Sequence, residues 1–451
     1  MTQNEFNISD IIDKKPLRGL SLLVCVLCFL GQISDGYDLG VVGLTAPGVI
    51  AEFHITRAQM APAFSAAILG MLLGAIGGGY LGDRHGRKVG ILAAQMIFGL
   101  GSLACSQITG INELIGLRFF VGIGLGAMLP NVAAMMIEYM PTKIRATLTT
   151  ISFMGVTAGG ALAGQISAHL HSPPWRWLYV IGAVIPLSMI PIIALLMPES
   201  MKYLAVHGRN QAGLRRIVQR LAGTTIIPHD AKLVIDEHHH GRGRIADLFT
   251  GKRCYMTPLL WLGFMGVMFS NFYINSWLAV GLRSLGLPPA AADASASFYY
   301  IGGVFGGIAV GVGLDVLGAV ALVLALAFGI IAAIVMATQD VAIGGVQILI
   351  FVYGFAVLGS QVGFSALGGL LYPTSIRSKG AGFAQGIGRL GGFIGPLAAG
   401  MLSQSYDFKS VFGFAGLPMV VAALASLVLT WIWSGRMLGR RMAELEQPGN
   451  A

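Results

Sequence analysis

The chain has 451 residues, 55% of them hydrophobic and only 11% charged, and a net charge of +9. A mean hydropathy of +0.74 excludes an ordinary soluble protein, which needs far more charge to cover its surface. Four cysteines show no metal-ligand spacing, and no GxxxxGK[ST] loop for ATP is present, nor any arrangement resembling a catalytic triad.

Apolar segments long enough to cross a bilayer recur along the whole chain. Twelve are predicted, near 19–50, 59–81, 89–107, 113–137, 147–169, 176–196, 256–281, 294–314, 318–338, 342–371, 381–403 and 410–433. The fold class is therefore an all-α polytopic membrane protein. The polar stretch before the first span shows no small-residue cleavage site and reads as the lead-in to a retained helix. Lys and Arg concentrate in alternate connections, starting with this one, so both termini are expected in the cytoplasm. The basic excess is thus an orientation signal, with some attraction to anionic lipid, and implies no nucleic acid.

The first span carries "GQISDGYDLG" (31–40). Asp35 and Asp38 lie one helical turn apart and share a face with Gln32. Two carboxylates that close in a low dielectric disfavour simultaneous ionisation, which suits a group that loads a proton on one side and releases it on the other. The plainer reading is that they neutralise Arg118 and Arg389 within the membrane. Cys25 and Cys28, one turn apart in the same apolar wall, read as small packing residues.

Between the second and third spans, "GGYLGDRHGRK" (78–88) puts Asp83, Arg84, Gly86, Arg87 and Lys88 at the cytoplasmic interface. In the fourth span Arg118 precedes Gly122 and Gly126 on one face; an intramembrane Arg normally meets a partner or a wet cavity. Glu138, at the cytoplasmic end of that span, pairs with Arg145 or Arg84 on the plain reading and serves transport on the other.

The polar, basic connection 197–255 separates six spans from six, so residues 1–196 and 256–451 are expected as two halves. His238–His240 within it read as a solvated loop, with no metal implied. The chain repeats itself across this connection at a single offset. Gly79/Gly311, Asp83/Asp315 and Gly86/Gly318 share it, as do "PTKIR" (141–145) and "PTSIR" (373–377), ending in Arg145 and Arg377. Gly159-Gly160 and Gly391-Gly392 follow the same spacing. Two parallel six-helix halves are an architecture of secondary transporters, in which substrate sits between the halves near the midplane.

In the seventh span "FSNFYINSW" supplies Asn271 and Asn275 as hydrogen-bonding candidates and Tyr273 and Trp277 as stacking ones; Gln361 and Ser365 in the tenth span are similar. Arg389, in the Gly-rich eleventh span, is the first candidate to bind an anionic group, and Arg118 the second.

The 78–88 loop and "RFFVGIGLGAMLPN" (118–131) resemble signatures of the major facilitator superfamily. "DGYDLGVVGLTAP", "PNVAAMMIEYMP" and "YPTSIRSKGAGFAQGIGRLGGFIGP" are similar to its aromatic acid:proton symporter family, over nearly the whole chain. The resemblance implies a bacterial inner-membrane importer of an aromatic carboxylate, coupled to protons and with no organic cofactor or enzymatic activity. Asp35, Asp38, Arg118 and Glu138 would serve coupling. Asp83 would close against the start of the eleventh helix, near Gly380, with Arg84, Gly86, Arg87, Arg145, Asp315 and Arg377 as further gating candidates. A monomer is expected. Symport of another small organic acid or a sugar is the neighbouring alternative, and a transporter-like sensor signalling through 197–255 the alternative of a different class. The fifth span, "GVTAGGALAGQ", lacks the Gly-Pro pair of drug antiporters.

Overall fold

The computed structural model describes residues 5–7, 12–13, 19–170, 174–207, 211–222, 232–234 and 244–445. Six long helices open the chain: α1 (Leu20–Glu52), α2 (Arg57–His85), α3 (Arg87–Cys105), α4 (Ile111–Tyr139), α5 (Arg145–His169) and α6 (Trp175–Leu196). Two short ones follow, α7 (Met201–His207) and α8 (Gln211–Ala222), before α9 (Arg253–Ser284), α10 (Pro289–Leu317), α11 (Val320–Thr338), α12 (Ile343–Leu371) and α13 (Thr374–Leu402). The last span is broken at Ala415 into α14 (Phe408–Phe414) and α15 (Gly416–Leu445). Two short strands, β1 (Glu5–Asn7) and β2 (Lys232–Val234), pair in parallel with Glu5 opposite Lys232.

Eleven of the described helices are long and apolar enough to cross a membrane. The expected twelfth, α13, is a continuous 29-residue helix, but its glycines, Arg377, Lys379 and Arg389 lower its hydropathy. It begins at Thr374, well before the predicted start near Gly380. Pro373, immediately ahead of the first turn with φ −62°, suits a helix start because its missing N–H would be unsatisfied there anyway. Several other helices outrun their apolar cores, because backbone hydrogen bonding continues into the polar residues that flank them.

The chain divides into two compact units, Met1–Ile55 with Pro62–His239, and Thr56–Ala61 with His240–Ala451. Within each, glycine lets backbones touch. A Cβ on Gly159 of α5 would meet the Ile33 carbonyl of α1, and one on Gly391 of α13 the Met265 carbonyl of α9. The second contact is the first moved on by the repeat offset in both partners. The same holds for Gly122 against the Ala67 carbonyl and Gly354 against the Tyr299 carbonyl. The sequence repeat is therefore also a repeat of helix contacts.

The connection after α6 is more structured than its polarity suggests. Leu204 of α7 and Leu214 and Val218 of α8 are buried in one cluster with Ile12, Tyr139 and Met140. The Asp13 carboxylate accepts from the Thr142 amide at 2.7 Å and its hydroxyl at 2.8 Å, tying the amino-terminal segment to the α4–α5 turn. His238–His240 lie outside the described residues. All four cysteines are free thiols.

A side chain at the paired contacts has nowhere to go. Gly159→Leu and Gly391→Leu should each cost about 3 kcal/mol or more, the upper range for overpacking. Gly77→Ala, whose added carbon meets nothing within 4 Å, should be near neutral. Thermal unfolding in detergent, read by gel filtration, checks this; a wild-type melting curve for Gly159→Leu would show that these helices can separate there.

Candidate functional site

The apolar length of α1 carries Gln32, Asp35 and Asp38 into the interior of the first unit, where all three are buried. Asp38 Oδ2 accepts from Arg118 Nη1 at 2.9 Å, with the side chains 0% and 1% exposed. Its other oxygen accepts from the Ser102 hydroxyl at 3.2 Å. Beside them the Thr45 hydroxyl donates to Tyr179 Oη at 3.2 Å. Four helices, α1, α3, α4 and α6, thus converge on one ion pair. Arg118, the second candidate cation, is paired with Asp38. Its Nε makes no hydrogen bond among the described residues, and neither does the carboxamide of Gln32. Ser34 donates to the Gly31 carbonyl at 2.7 Å and to Gln95 Oε1 at 3.3 Å.

At the α2–α3 turn of the same unit, Asp83 pairs with Arg87 one turn on, and Arg87 also reaches the Gly79 carbonyl at 3.4 Å. Arg84 donates to the Tyr80 hydroxyl at 3.1 Å, and Asn131 Nδ2 to the Gly78 carbonyl at 3.0 Å. Gly86 adopts φ +107°, and a Cβ there would strike the Glu199 carboxylate. That carboxylate accepts from the Lys88 amide at 3.0 Å, in the first turn of α3, where unsatisfied N–H groups favour an anion. The Tyr139 hydroxyl donates to the Glu199 carbonyl at 2.6 Å. Glu138 pairs with neither Arg145 nor Arg84, contrary to the plain expectation. Its carboxylate accepts from the Ser200 hydroxyl at 2.6 Å and the Lys202 amide at 3.2 Å, because α7 begins there and offers free backbone donors. Arg145 turns back on the Met140 carbonyl at 3.1 Å, and Arg377 on the Tyr372 carbonyl at 3.4 Å. Each closes its own loop, and donor and acceptor are both related by the repeat. Burial raises the Tyr372 hydroxyl pKa, which keeps it a donor to Thr257 Oγ1 at 3.0 Å. Asp315 is exposed and makes no ion pair among the described residues.

The second unit holds amides and phenols where the first holds charge. Asn271 is satisfied at both ends: Nδ2 donates to Gln361 Oε1 at 2.8 Å and Oδ1 accepts from Tyr299 at 2.7 Å. Asn275 Oδ1 accepts from the Tyr300 hydroxyl at 2.8 Å. Trp277 is buried and donates to the Pro396 carbonyl at 3.0 Å. Tyr273 is buried, stacks on Phe269 at 5.5 Å, and its hydroxyl has no hydrogen-bond partner among the described residues. Ser365 faces Gln385 Nε2 at 3.5 Å, and Arg389 is half-buried in α13. Toward the other end of α9, Arg283 Nη2 lies 2.9 and 3.1 Å from the carboxylate oxygens of buried Asp293.

Ser102, Tyr179, Asn131, Glu199, Tyr300 and the Arg283–Asp293 pair were not expected from the sequence. Asn131 carried a signal, as the last residue of "RFFVGIGLGAMLPN". Ser102, Tyr179 and Tyr300 are single polar residues in apolar helices, which periodicity does not distinguish.

A model of the Major Facilitator Superfamily matches residues 28–367 and 260–438. The 4-hydroxybenzoate transporter PcaK of Pseudomonas aeruginosa is 32% identical over 435 residues, covering 94% of this chain and 95% of that one. A gallate transporter of Pseudomonas putida is 32% identical, covering 93% and 94%. The xylose transporter XylE from E. coli, solved partially occluded and inward open, shares the fold with a TM-score of 0.70 at 17% identity, over 90% of this chain and 96% of that one.

Removing one partner of a buried ion pair strands the other. Arg118→Gln should cost about 3–5 kcal/mol, whereas Asp38→Asn with Arg118→Gln should recover part of that loss. Thermal unfolding of the single and double variants measures the coupling; strict additivity would mean that the pair contributes no mutual stabilisation.

Proposed function

We propose that this chain, which belongs to the major facilitator superfamily, is a proton-coupled importer of a hydroxylated aromatic carboxylate across a bacterial inner membrane. The observation that most supports the reading is the buried Asp38–Arg118 pair with a second carboxylate one turn away, in a chain similar end to end to a 4-hydroxybenzoate transporter. Both termini lie in the cytoplasm in this arrangement.

In this reading residues 1–196 and 256–451 are the moving halves and 197–255 the cytoplasmic connection. A proton taken up by Asp35 or Asp38 neutralises a carboxylate. On Asp38 it weakens the hold on Arg118, because a neutral acid attracts a guanidinium far less in a low dielectric. The Arg118 charge then favours rearrangement of α1 against α4, and release of the proton inside restores the pair. Coupling requires only that the two states differ in proton affinity. Arg389 reads the substrate carboxylate, since its planar fork binds two oxygens at once and a lysine does not. Gln32, Tyr273, Asn275, Gln361 and Ser365 lie among the candidates for the ring, whereas Asn271 and Trp277 chiefly brace α9. Asp83, with Arg84, Gly86 and Arg87, and its counterpart Asp315 govern the cytoplasmic gate, and Glu138 with Glu199 anchors the neighbouring helix ends.

Asp35→Asn should abolish accumulation of labelled 4-hydroxybenzoate driven by an acid-outside gradient in proteoliposomes while the protein remains folded; Asp38→Asn should abolish it too, with a lowered melting temperature because Arg118 is left unpaired. Gradient-driven concentration by both variants would remove these aspartates from coupling. Without accumulation by the wild type, the transport reading itself fails.

Arg389→Lys should lose most uptake, on the order of tenfold or more, as expected when a bidentate charged contact is lost. In the wild type, 4-hydroxybenzamide should compete far less well than 4-hydroxybenzoate. Equal competition by amide and acid would take Arg389 out of the carboxylate site.

A further inference from the structure

The two asparagines of α9, one turn apart, look interchangeable in sequence and are not so in the structure. Asn271 spends its acceptor on Tyr299 and its donor on Gln361. Asn275 spends only its acceptor, on the Tyr300 hydroxyl, and no hydrogen bond engages its Nδ2 among the described residues. The side chain is half-buried rather than enclosed, so this donor remains available.

Tyr300 is itself held. It is 7% exposed, and its ring lies edge-on to Tyr299 at 5.4 Å. Tyr299 continues into a row with Tyr353 at 6.4 Å and Phe412 at 5.0 Å from Tyr353. With the Tyr300 phenol donating to Oδ1, Nδ2 is the uncommitted end of the carboxamide.

Resting on the reading of this protein as an aromatic acid importer, we infer that Asn275 recognises the ring hydroxyl of the substrate and that Tyr300 is the positioning residue that orients it. The hydroxyl oxygen accepts from Nδ2. The carboxylate goes to Arg389, a cation being its stronger partner. A site that hydrogen-bonds a hydroxyl favours the hydroxylated acid over the analogue that cannot make the bond. The inferred pair thus selects hydroxybenzoate over benzoate.

The experiment uses the full chain in proteoliposomes and measures the apparent affinity for 4-hydroxybenzoate and for 3-hydroxybenzoate, each against benzoate. The wild type should prefer at least one hydroxylated acid. Asn275→Leu should erase that preference, lowering affinity for the hydroxylated acid about tenfold more than affinity for benzoate. Tyr300→Phe, which removes one oxygen, should reduce the preference several-fold by freeing the amide to rotate. Gel filtration and the melting temperature of each variant check folding. A preference that survives Asn275→Leu, or an equal loss for hydroxylated acid and benzoate, overturns the inference and leaves the importer reading standing. Wild-type protein that concentrates none of the three acids overturns both.

Discussion

A guanidinium in the middle of a bilayer costs about 2.5–3.5 kcal/mol on insertion scales unless it is paired, and Arg118 organises the first unit around that cost. One Asp38 oxygen meets it and the other takes the Ser102 hydroxyl, so α1, α3 and α4 are held in register by a single carboxylate. Tyr179 of α6 and Thr45 of α1 close the remaining side with their own hydrogen bond. A purely structural purpose would be met more simply by apolar side chains, which often replace buried ion pairs without loss of stability.

The second unit repeats the scaffold but not this chemistry. Its glycines touch the equivalent backbone carbonyls, Gly391 on Met265 as Gly159 on Ile33. Yet the repeat places Ser270 where the first unit has Asp38, and Ile350 where it has Arg118. Ser270 donates to the Ala415 carbonyl at 2.8 Å, at the break between α14 and α15, satisfying an acceptor that the interrupted helix leaves open. Close backbone packing tolerates almost no substitution, whereas a polar side chain pointing into a unit is exchanged at the cost of one or two partners. The two halves thus share their contacts and differ in their polar interiors.

The short interhelical loops show the same asymmetry. Arg145 and Arg377 fold back on equivalent carbonyls, a piece of turn chemistry common to both units. Asp83 has Arg87 beside it, whereas Asp315 stands exposed in a copy without the basic residues. In the first unit the Glu199 carboxylate, the positive-φ Gly86 and the first turn of α3 interlock, so that loop is held by the segment following α6.

By itself the sequence determined the all-α membrane class, eleven of the spans to within a turn or two at most ends, and the duplication. These follow from hydropathy and from backbone sterics, which act over one helix or one helix contact and leave a local mark in residue type. The Gly-rich α13 was legible as a helix, but its start was not, since Pro373 sets it and apolar length does not. Partner choice was decided only by the tertiary structure. An aspartate of "DGYD" neutralising Arg118 was legible, but not that Asp38 rather than Asp35 takes it; nothing near Glu138 says that it takes Ser200 over Arg145, and Asn271 and Asn275 read alike until Tyr299 and Tyr300 come into place beside them. Each of those bonds reaches outside its own helix, and a hydrogen bond's partner depends on ångström placement that no pattern along a single helix encodes.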